Sequence, residues 1–337
     1  MPDLADLTTS RVGGPAGELV EARTEAELVD AVRSADQAGI PVLLVGGGSN
    51  LLVSDDGFEG RVVVVRTSGV VADEDACGGA VVRVAAGESW DALVARAVEQ
   101  GWIGVEALSG IPGQVGSTPI QNVGAYGQEV GATIASVRCW DRESGSVRTL
   151  FNADCRFGYR TSILKQQPGR WVVLEVVFQF RLGDLGAPVT YAELADRLGL
   201  APGERAPSAD VRAAVLALRA GKGMVLDATD HDTWSTGSFF TNPVLAAGDV
   251  PAGAPAWEQP DGRVKTSAAW LIEHAGFGKG YGTNRAALSG KHTLALTNRG
   301  TATAADLLAL AREVRDGVRS AYGIELVNEP VLVGCAL

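Results

Sequence analysis

The apolar positions of the first 66 residues follow a helical pattern and then an extended one. The predicted helix begins after a capping box formed by Thr24 and Glu27, and it ends at Gly39. Its apolar face repeats at helical spacing, at Leu28, Ala31, Val32 and Ala35. The short apolar run 41–45 predicts a buried strand that leads directly into GGGSN at 46–50, and LLVSDDG and RVVVVR predict further strands. The opening therefore predicts a compact α/β unit.

The pattern of the remaining chain mixes strands with helices. Strands are predicted at 81–87, 134–141, 146–150, 171–180, 292–298, 324–328 and 331–334. Helices are predicted from Ser89 to Gln100, from Ser208 to Arg219, from Ser267 onward, and from Thr303 to Tyr322. The turn ESG at 143–145 predicts a hairpin between its two flanking strands. Because helices and strands do not strictly alternate, we expect an α+β fold rather than a doubly wound sheet.

Two glycine-rich segments interrupt this pattern. Residues 110–127 read GIPGQVGSTPIQNVGAYG, with no charged side chain, and GGGSN at 46–50 has the same character. Glycines spaced in this way suit neither a regular helix nor a regular strand. They predict exposed backbone N–H groups, against which a large polar cofactor such as a flavin or a nucleotide could lie.

Composition narrows the classes of function. The chain has 337 residues, which predicts two or three domains, and a net charge of −11, which argues against nucleic acid as the main partner. The four cysteines and three histidines lie far apart, so the sequence predicts no metal site. The N-terminal residues MPDLADLTTSR include no apolar signal segment. We therefore expect a soluble, cytoplasmic protein with reduced thiols and no membrane partner.

The usual phosphate-binding motifs are missing. Neither the dinucleotide fingerprint G-x-G-x-x-G nor the P-loop pattern occurs, because Gly290-Lys291 and Gly221-Lys222 are not followed by Ser or Thr. A cofactor is therefore expected to be held by the two glycine-rich segments.

Six motifs in order resemble the UDP-N-acetylenolpyruvoylglucosamine reductase family. They are PVLLVGGGSNLLVSDDGFEG, ALSGIPGQVGSTPIQNVGAYGQE, FGYRTSILK, GSFFTNPV, AAWLIEHAG and NEPVLVG. The resemblance covers nearly the whole chain. It implies an FAD-binding fold of the vanillyl-alcohol-oxidase (PCMH) type, with two domains that clasp FAD and a third, α/β domain for substrate. The implied domains are 1–66, to which strand 330–337 returns, then 67–221, and 222–329.

The resemblance implies non-covalent FAD and NADPH as the hydride donor. In this family NADPH reduces FAD and leaves, and UDP-N-acetylglucosamine enolpyruvate is then reduced to UDP-N-acetylmuramate, a step in peptidoglycan precursor synthesis. We expect a monomer. Contacts to FAD are predicted for eleven residues: Gly46, Gly47, Gly48, Ser49, Asn50, Gly113, Ser117, Gln121, Asn122, Gly124 and Tyr126.

Three catalytic residues are carried over from the family motifs. Arg160, in FGYRTSILK, is expected to pair with the substrate carboxylate, where a planar donor stabilises the developing charge. Ser238, in GSFFTNP, is expected to donate the proton, and its neighbours Phe239 and Phe240 predict a water-poor setting. Glu329, in NEPVLVG, is expected to orient the carboxylate region through a shared proton.

Substrate contacts are expected at three further residues. Tyr191 lies where one class of the family carries a tyrosine-bearing loop, and the insert 183–192 indicates that class. Lys222 and Asn242 resemble residues near the substrate diphosphate or near the nicotinamide cofactor. The segment 279–285 departs from many members, because Asn284 and Arg285 stand where they carry a Gly-Gly pair.

Two other classes of function remain open at this stage. An alcohol oxidase of the same fold would explain both glycine segments, but it would not explain Arg160, Ser238 and Glu329 together. A flavin-binding or sugar-nucleotide-binding protein without catalysis would tolerate Ser238→Ala with no loss beyond weaker binding.

Overall fold

The computed structural model describes residues 2–75 and 77–337. Its helices are α1 Glu25–Ala38, α2 Trp90–Glu99, α3 Asn152–Cys155, α4 Ile163–Gln166, α5 Ala192–Leu198, α6 Ser208–Gly221, α7 Ala268–His274 and α8 Ala304–Tyr322. Its strands are β1 Ala16–Ala22, β2 Val42–Val45, β3 Leu51–Val53, β4 Phe58–Val65, β5 Val70–Asp75, β6 Gly79–Ala85, β7 Trp102–Ile103, β8 Gly124–Ala125, β9 Gln128–Glu129, β10 Ile134–Asp141, β11 Ser146–Phe151, β12 Trp171–Leu182, β13 Val244–Leu245, β14 Ala256–Glu258, β15 Val264–Thr266, β16 Ala286–Leu288, β17 Leu296–Asn298 and β18 Val331–Val333. The mixture confirms the α+β class.

The chain folds into two compact units, each built from separate stretches of sequence. The terminal unit comprises Met1–Gly17, Gly48–Phe58 and Gly221–Leu337, and the central unit comprises Glu18–Gly47 and Glu59–Ala220. The three-domain division expected from sequence stays a prediction. None of the described helices is both long and apolar enough to cross a membrane.

The central unit is built on two sheets. The larger has the strand order β11-β10-β12-β6-β5, with antiparallel pairing throughout, and β7 also pairs with β12. The smaller has the order β1-β4-β2, in which β2 and β4 run parallel. Aromatic residues fill the core beneath the large sheet, and Phe178 stacks on Phe180 with ring centroids 5.4 Å apart. A separate apolar cluster packs α5 against α6.

The terminal unit packs α7 and α8 around Phe239 and Phe240, which are both buried. Helix α8 begins at a capping box formed by Thr303 and Asp306, and the Asp55 carboxylate accepts hydrogen bonds from the N–H groups of Ala304 and Ala305. Strand β18 pairs in parallel with β3. The C-terminal strand therefore lies beside the residues that follow GGGSN.

Most predicted elements are confirmed, but one predicted strand is shorter than expected and another does not form. The capping box of α1, its end at Gly39, the cap of α2 at Ser89 and the hairpin β10–β11 all form as expected. The strand predicted at 292–298 is limited to Leu296–Asn298, because the N–H of Ala295 donates to His292 in a turn. Residues 324–328 form no strand, and only Asn328 makes an isolated bridge, to Phe240.

Candidate active site

The two glycine-rich segments meet backbone to backbone in the central unit. A Cβ on Gly47 would lie 2.6 Å from the Cα of Gly113, and a Cβ on Gly46 would lie 2.8 Å from Oε1 of Gln114. Gln114 is held in turn, because its Nε2 donates to the carbonyl of Val65 at 2.9 Å. Glycine is therefore required at these two positions, where the chain packs directly against the segment that carries Gly113 and Gln114.

The end of GGGSN is fixed within the terminal unit. Gly48 has a φ of +62°, and a Cβ there would lie 1.8 Å from the carbonyl oxygen of Leu7. The N–H of Thr9 donates to the Gly48 carbonyl at 3.2 Å, and the N–H of Val331 donates to the Asn50 carbonyl at 2.9 Å. Ser49 follows Gly48 in the same turn. The N-terminal segment and β18 thus hold the loop.

The second glycine segment is less open than the sequence predicts. The N–H of Gly116 donates to Ala86 at 2.8 Å, and the N–H groups of Val115 and Thr118 also donate to carbonyls of the protein. Ser117 donates its hydroxyl to the Gln114 carbonyl at 2.7 Å. Gly113 is fixed by Trp90, whose N–H donates to its carbonyl. Many N–H groups here build the loop itself, and the expectation of a broadly exposed backbone is wrong for them.

Asn122 joins three neighbouring segments. Its φ is +47°, and its buried side chain donates to Glu129 at 2.8 Å and to the carbonyl of Gly158 at 3.2 Å. Its Oδ1 accepts a hydrogen bond from the N–H of Gly131 at 2.9 Å. The amide therefore fixes the hairpin formed by β8 and β9, which begins two residues after Asn122. A direct contact of Asn122 or Gln121 with a cofactor stays a prediction.

Arg160 lies against the same hairpin. Its Nη2 donates to the carbonyl of Gly124 at 2.9 Å, and a Cβ on Gly124 would lie 3.3 Å from Nη1. Its φ of +52° places it in the left-handed region, inside a tight turn in which Gly158 and Thr161 pair. The turn holds the guanidinium close to the hairpin, where a planar donor can receive a carboxylate.

Tyr126 and Tyr191 contact each other edge to face, with ring centroids 5.4 Å apart. Tyr126 has a φ of +49°, and burial raises its pKa to about 12. Tyr191 precedes α5 and is 43% exposed as a residue, and burial together with the charge of Glu193 raises its pKa. Both phenols therefore stay protonated at neutral pH and can donate hydrogen bonds.

Ser238 and Glu329 lie on neighbouring segments of the terminal unit. The N–H of Glu329 donates to the Phe239 carbonyl at 2.8 Å, and Phe240 pairs with Asn328. On the other side, Ser238 pairs with Ala295. The backbone on each side of Ser238 is thus hydrogen-bonded to other segments, and Phe239 and Phe240 are buried, as a water-poor setting requires.

Asn242 also has a structural role. Its Oδ1 accepts a hydrogen bond from the N–H of Ala268 at 2.9 Å, so it caps the first turn of α7. Lys222 is half-buried and follows directly after α6. At the departure from the family pattern, Arg285 forms an ion pair with Asp306 at 2.9 Å.

The structure therefore sorts the predicted residues into two groups, each within one unit. The terminal unit contains Gly48, Ser49, Asn50, Lys222, Ser238, Asn242 and Glu329. The central unit contains Gly46, Gly47, Gly113, Ser117, Gln121, Asn122, Gly124, Tyr126, Arg160 and Tyr191.

Sequence reasoning missed a carboxylate that holds the second glycine segment. Asp91 forms a bidentate ion pair with Arg212, with N–O distances of 2.7 and 2.9 Å, and it accepts the N–H of Gly110 at 2.6 Å. The hydrogen bonds from Arg212 are the main cause of the lowered pKa of Asp91. Asp91 resembles any acidic residue in the first turn of a helix, and nothing in the sequence pattern reveals its partner 121 positions away.

Comparisons with known proteins cover nearly the whole chain. Residues 17–150 match the model of the FAD binding domain, and residues 228–333 match the model of the UDP-N-acetylenolpyruvoylglucosamine reductase C-terminal domain. The reductases of that name from Cutibacterium acnes and Streptomyces coelicolor are 60% and 57% identical, each over 99% of this chain and 90% of the relative. The crystal structure of the Thermus caldophilus reductase is similar with a TM-score of 0.68 and 27% identity, over 98% of this chain and 97% of that one.

Proposed function

The chain belongs to the UDP-N-acetylenolpyruvoylglucosamine reductase family, and on that premise we propose which of its residues carry the reaction. It binds FAD and uses NADPH to reduce UDP-N-acetylglucosamine enolpyruvate to UDP-N-acetylmuramate in peptidoglycan precursor synthesis. The observation that carries this function is the identity of 60% to a reductase over 99% of the chain.

The residues present fit a large dinucleotide such as FAD. At Gly46, Gly47 and Gly48 a Cβ would meet neighbouring protein atoms at 2.8 Å or less, so the protein requires glycine here and the loop carries no side chains that would keep a ligand from its backbone. Close approach of backbone to a pyrophosphate needs this arrangement. We assign FAD binding to this loop with Ser49 and Asn50, and to the segment that carries Gly113, Ser117, Gln121, Asn122, Gly124 and Tyr126. FAD held there would supply the chemistry of hydride transfer between NADPH and the substrate.

Arg160 binds the carboxylate of the enolpyruvyl group. Hydride addition to the enol ether places negative charge on the carbon that carries this carboxylate, and a fixed guanidinium stabilises that charge as it develops. The hydrogen bond from Arg160 to the Gly124 carbonyl supports the assignment, because it holds the guanidinium before substrate arrives.

Ser238 donates the proton that completes the reduction, and Glu329 orients the substrate carboxylate region. A serine hydroxyl is a weak acid, so it can transfer its proton only to a strongly basic carbon held within hydrogen-bond distance. The bond between the Glu329 N–H and the Phe239 carbonyl supports a joint role, because it fixes the two residues on adjacent segments.

Tyr191, Lys222 and Asn242 bind the rest of the substrate. The half-exposed Tyr191 ring covers the bound sugar nucleotide, and Lys222 supplies a cation for the diphosphate. Asn242 uses Oδ1 to cap α7, which directs its two amide hydrogens away from the helix as donors to substrate.

Absorbance spectroscopy and kinetics test the proposal. The purified protein should show flavin absorbance that is released on denaturation, and it should oxidise NADPH faster when the enolpyruvyl sugar nucleotide is added. In stopped flow, Ser238→Ala should still be reduced by NADPH but should be reoxidised by substrate on the order of 10²–10⁴ times more slowly. Ser320→Ala, which removes an exposed hydroxyl on α8 of the same unit, is the control. Normal reoxidation of Ser238→Ala by substrate would contradict the role of the serine as proton donor. A rate of NADPH oxidation that does not change when the enolpyruvyl sugar nucleotide is added would contradict the proposed reductase activity.

We also propose that the enzyme acts as a cytoplasmic monomer. NADPH and nucleotide sugars are both cytoplasmic metabolites, and all predicted site residues come from one chain. Size-exclusion chromatography with light scattering should give a mass near the 34.9 kDa of a single chain. A stable dimer would contradict the monomer.

A further inference from the structure

Glu106 is a fully buried carboxylate to which the proposed function gives no role. Its Oε2 accepts the N–H of Gly104 at 2.7 Å, and its Oε1 accepts Nε2 of Gln128 at 3.0 Å and the N–H of Ala187. Removing a carboxylate from water is costly unless hydrogen bonds replace its hydration. At Glu106, three donors from three segments replace the lost hydration, and the carboxylate therefore joins those segments to one another.

Gln128 connects Glu106 to the hairpin formed by β8 and β9. Its side-chain oxygen accepts the N–H of Ala107 at 2.8 Å, while its nitrogen donates to Glu106. Both ends of the amide are thus bonded to one short segment. The hairpin carries Tyr126 at its turn, and its Gly124 carbonyl accepts the hydrogen bond from Arg160.

Ala187 connects Glu106 to the loop that carries Tyr191. The neighbouring Gly186 is required for this contact, because a Cβ there would lie 2.7 Å from Oε1 of Glu106. Farther along, the N–H of Val189 donates to the carbonyl of Glu204 at 2.8 Å. The loop is thus hydrogen-bonded at its base, and its end is placed by the contact between the rings of Tyr191 and Tyr126.

We propose that Glu106 and Gln128 are positioning residues for substrate binding: they attach the base of loop 183–191 to hairpin 124–129, and so hold Tyr191 against Tyr126. The inference rests on the proposed function, in which Tyr191 covers the substrate. Since Arg160 is bonded to the same hairpin, this attachment also sets the position of the tyrosine relative to the arginine.

Gln128→Ala tests the attachment, because Gln128 is only half-buried and its loss leaves the cores intact. Calorimetric titration with the enolpyruvyl sugar nucleotide, with NADPH omitted to prevent turnover, should show a Kd raised on the order of tenfold, as expected for the loss of one or two buried hydrogen bonds. FAD content should stay close to that of the unaltered chain, and Tm should fall by no more than about 10 °C, because Glu106 keeps two of its three donors. Glu204→Gln is the matched control, because that exposed carboxylate accepts a backbone N–H in the same region but has no bond to the hairpin.

A double-mutant cycle separates positioning from a general structural effect. If Gln128 acts through Tyr191, then Gln128→Ala should change the Kd by less than about twofold once Tyr191→Ala is present. Glu106→Gln, which keeps the size but replaces an acceptor with a donor, should show the same dependence on Tyr191. If Glu106→Gln does not fold, the cycle of Gln128→Ala with Tyr191→Ala is sufficient to test the positioning role.

The outcomes distinguish this inference from the proposed function. An additive cycle, or an unchanged Kd in Gln128→Ala, would overturn the positioning role while the unaltered enzyme remained active. An unaltered chain that neither binds nor reduces the enolpyruvyl sugar would overturn the proposed function itself.

Discussion

At the scale of residues, backbone strain coincides with the predicted site. Among the described residues, the non-glycine residues with positive φ are Arg11, Asn122, Tyr126, Arg156 and Arg160. Three of these, Asn122, Tyr126 and Arg160, are predicted site residues, and all three contact or belong to the hairpin 124–129. Each costs of order 1 kcal/mol, which surrounding contacts must offset. The bonds of Asn122 to Glu129 and of Arg160 to Gly124 provide such contacts.

Arg160→Lys should separate the charge of this residue from its shape. Lysine keeps the positive charge, but it lacks the planar guanidinium that can donate to the Gly124 carbonyl and to a substrate carboxylate at the same time. We expect kcat/KM for the enolpyruvyl sugar to fall on the order of 10²-fold, with FAD content unchanged. Steady-state kinetics with flavin quantification measures both.

Arg156→Lys is the control for Arg160→Lys, because Arg156 is an exposed arginine with a similar φ of +49° in the same unit. It should leave kcat/KM within about twofold of the unaltered value, as expected for a surface substitution. An equal loss in both variants would show that the backbone conformation, rather than the guanidinium, is responsible.

Sequence alone could identify the site residues only through family motifs. Ser238 and Glu329 are 91 positions apart, and the hydrogen bond between the Glu329 N–H and the Phe239 carbonyl appears only in the fold. Asp91 and Glu106 were missed for the same reason, because each is defined by partners that are distant along the chain.

At the scale of elements, helix ends were predictable and short strands were not. The ends of α1 and α8 depend on a capping residue, a partner three positions later and a terminal glycine, all local in sequence. Short strands depend instead on the partner available to them. Residues 324–328 look like a strand but form none, and 292–298 is shortened because a turn takes up its first half.

Asn242 tests whether one side chain can both cap a helix and bind substrate. Asn242→Asp keeps the acceptor for the Ala268 N–H, so Tm should stay the same or rise. The added negative charge would face the substrate diphosphate, and KM should rise on the order of tenfold. Thermal melts and steady-state kinetics measure the two effects separately.

Ser267→Ala supplies the matched comparison, because its hydroxyl accepts the N–H of Trp270 in the same helix. It should cost about 1 kcal/mol of stability with KM unchanged. If KM rises no more in Asn242→Asp than in Ser267→Ala, Asn242 caps the helix and does not bind substrate.

At the scale of the whole molecule, each unit is discontinuous in sequence. The terminal unit takes an N-terminal segment, residues 48–58 and everything from 221 onward, while the central unit contains the large antiparallel sheet. Local patterns cannot predict such interleaving, because β18 pairs with β3 across some 280 positions. The glycine segment 46–50 is itself divided, because Gly46 and Gly47 belong to the central unit and residues 48–50 belong to the terminal unit.

Acid unfolding involves the whole chain, which carries a net charge of −11 at pH 7. The carboxylates that are paired or hydrogen-bonded in the folded state contribute most to it. Asp141 is buried at the end of β10, where Arg170 donates to both of its oxygens at 2.9 Å. These bonds lower its pKa from 3.8 to about 2. The unfolded chain therefore binds the proton at a higher pH than the folded chain does. The stability that Asp141 contributes is complete above about pH 4 and is lost as the pH falls towards 2.

Asp141→Asn should consequently reduce the stability at pH 7 by roughly 1–3 kcal/mol and also reduce the further loss between pH 4 and pH 2. Urea unfolding, followed by tryptophan fluorescence at a series of pH values, measures both changes. Asp196→Asn, at an exposed carboxylate on α5, is the control and should follow the unaltered chain at each pH. If Asp141→Asn lost stability in parallel with the unaltered chain across this range, the ion pair with Arg170 would not be a source of the acid sensitivity.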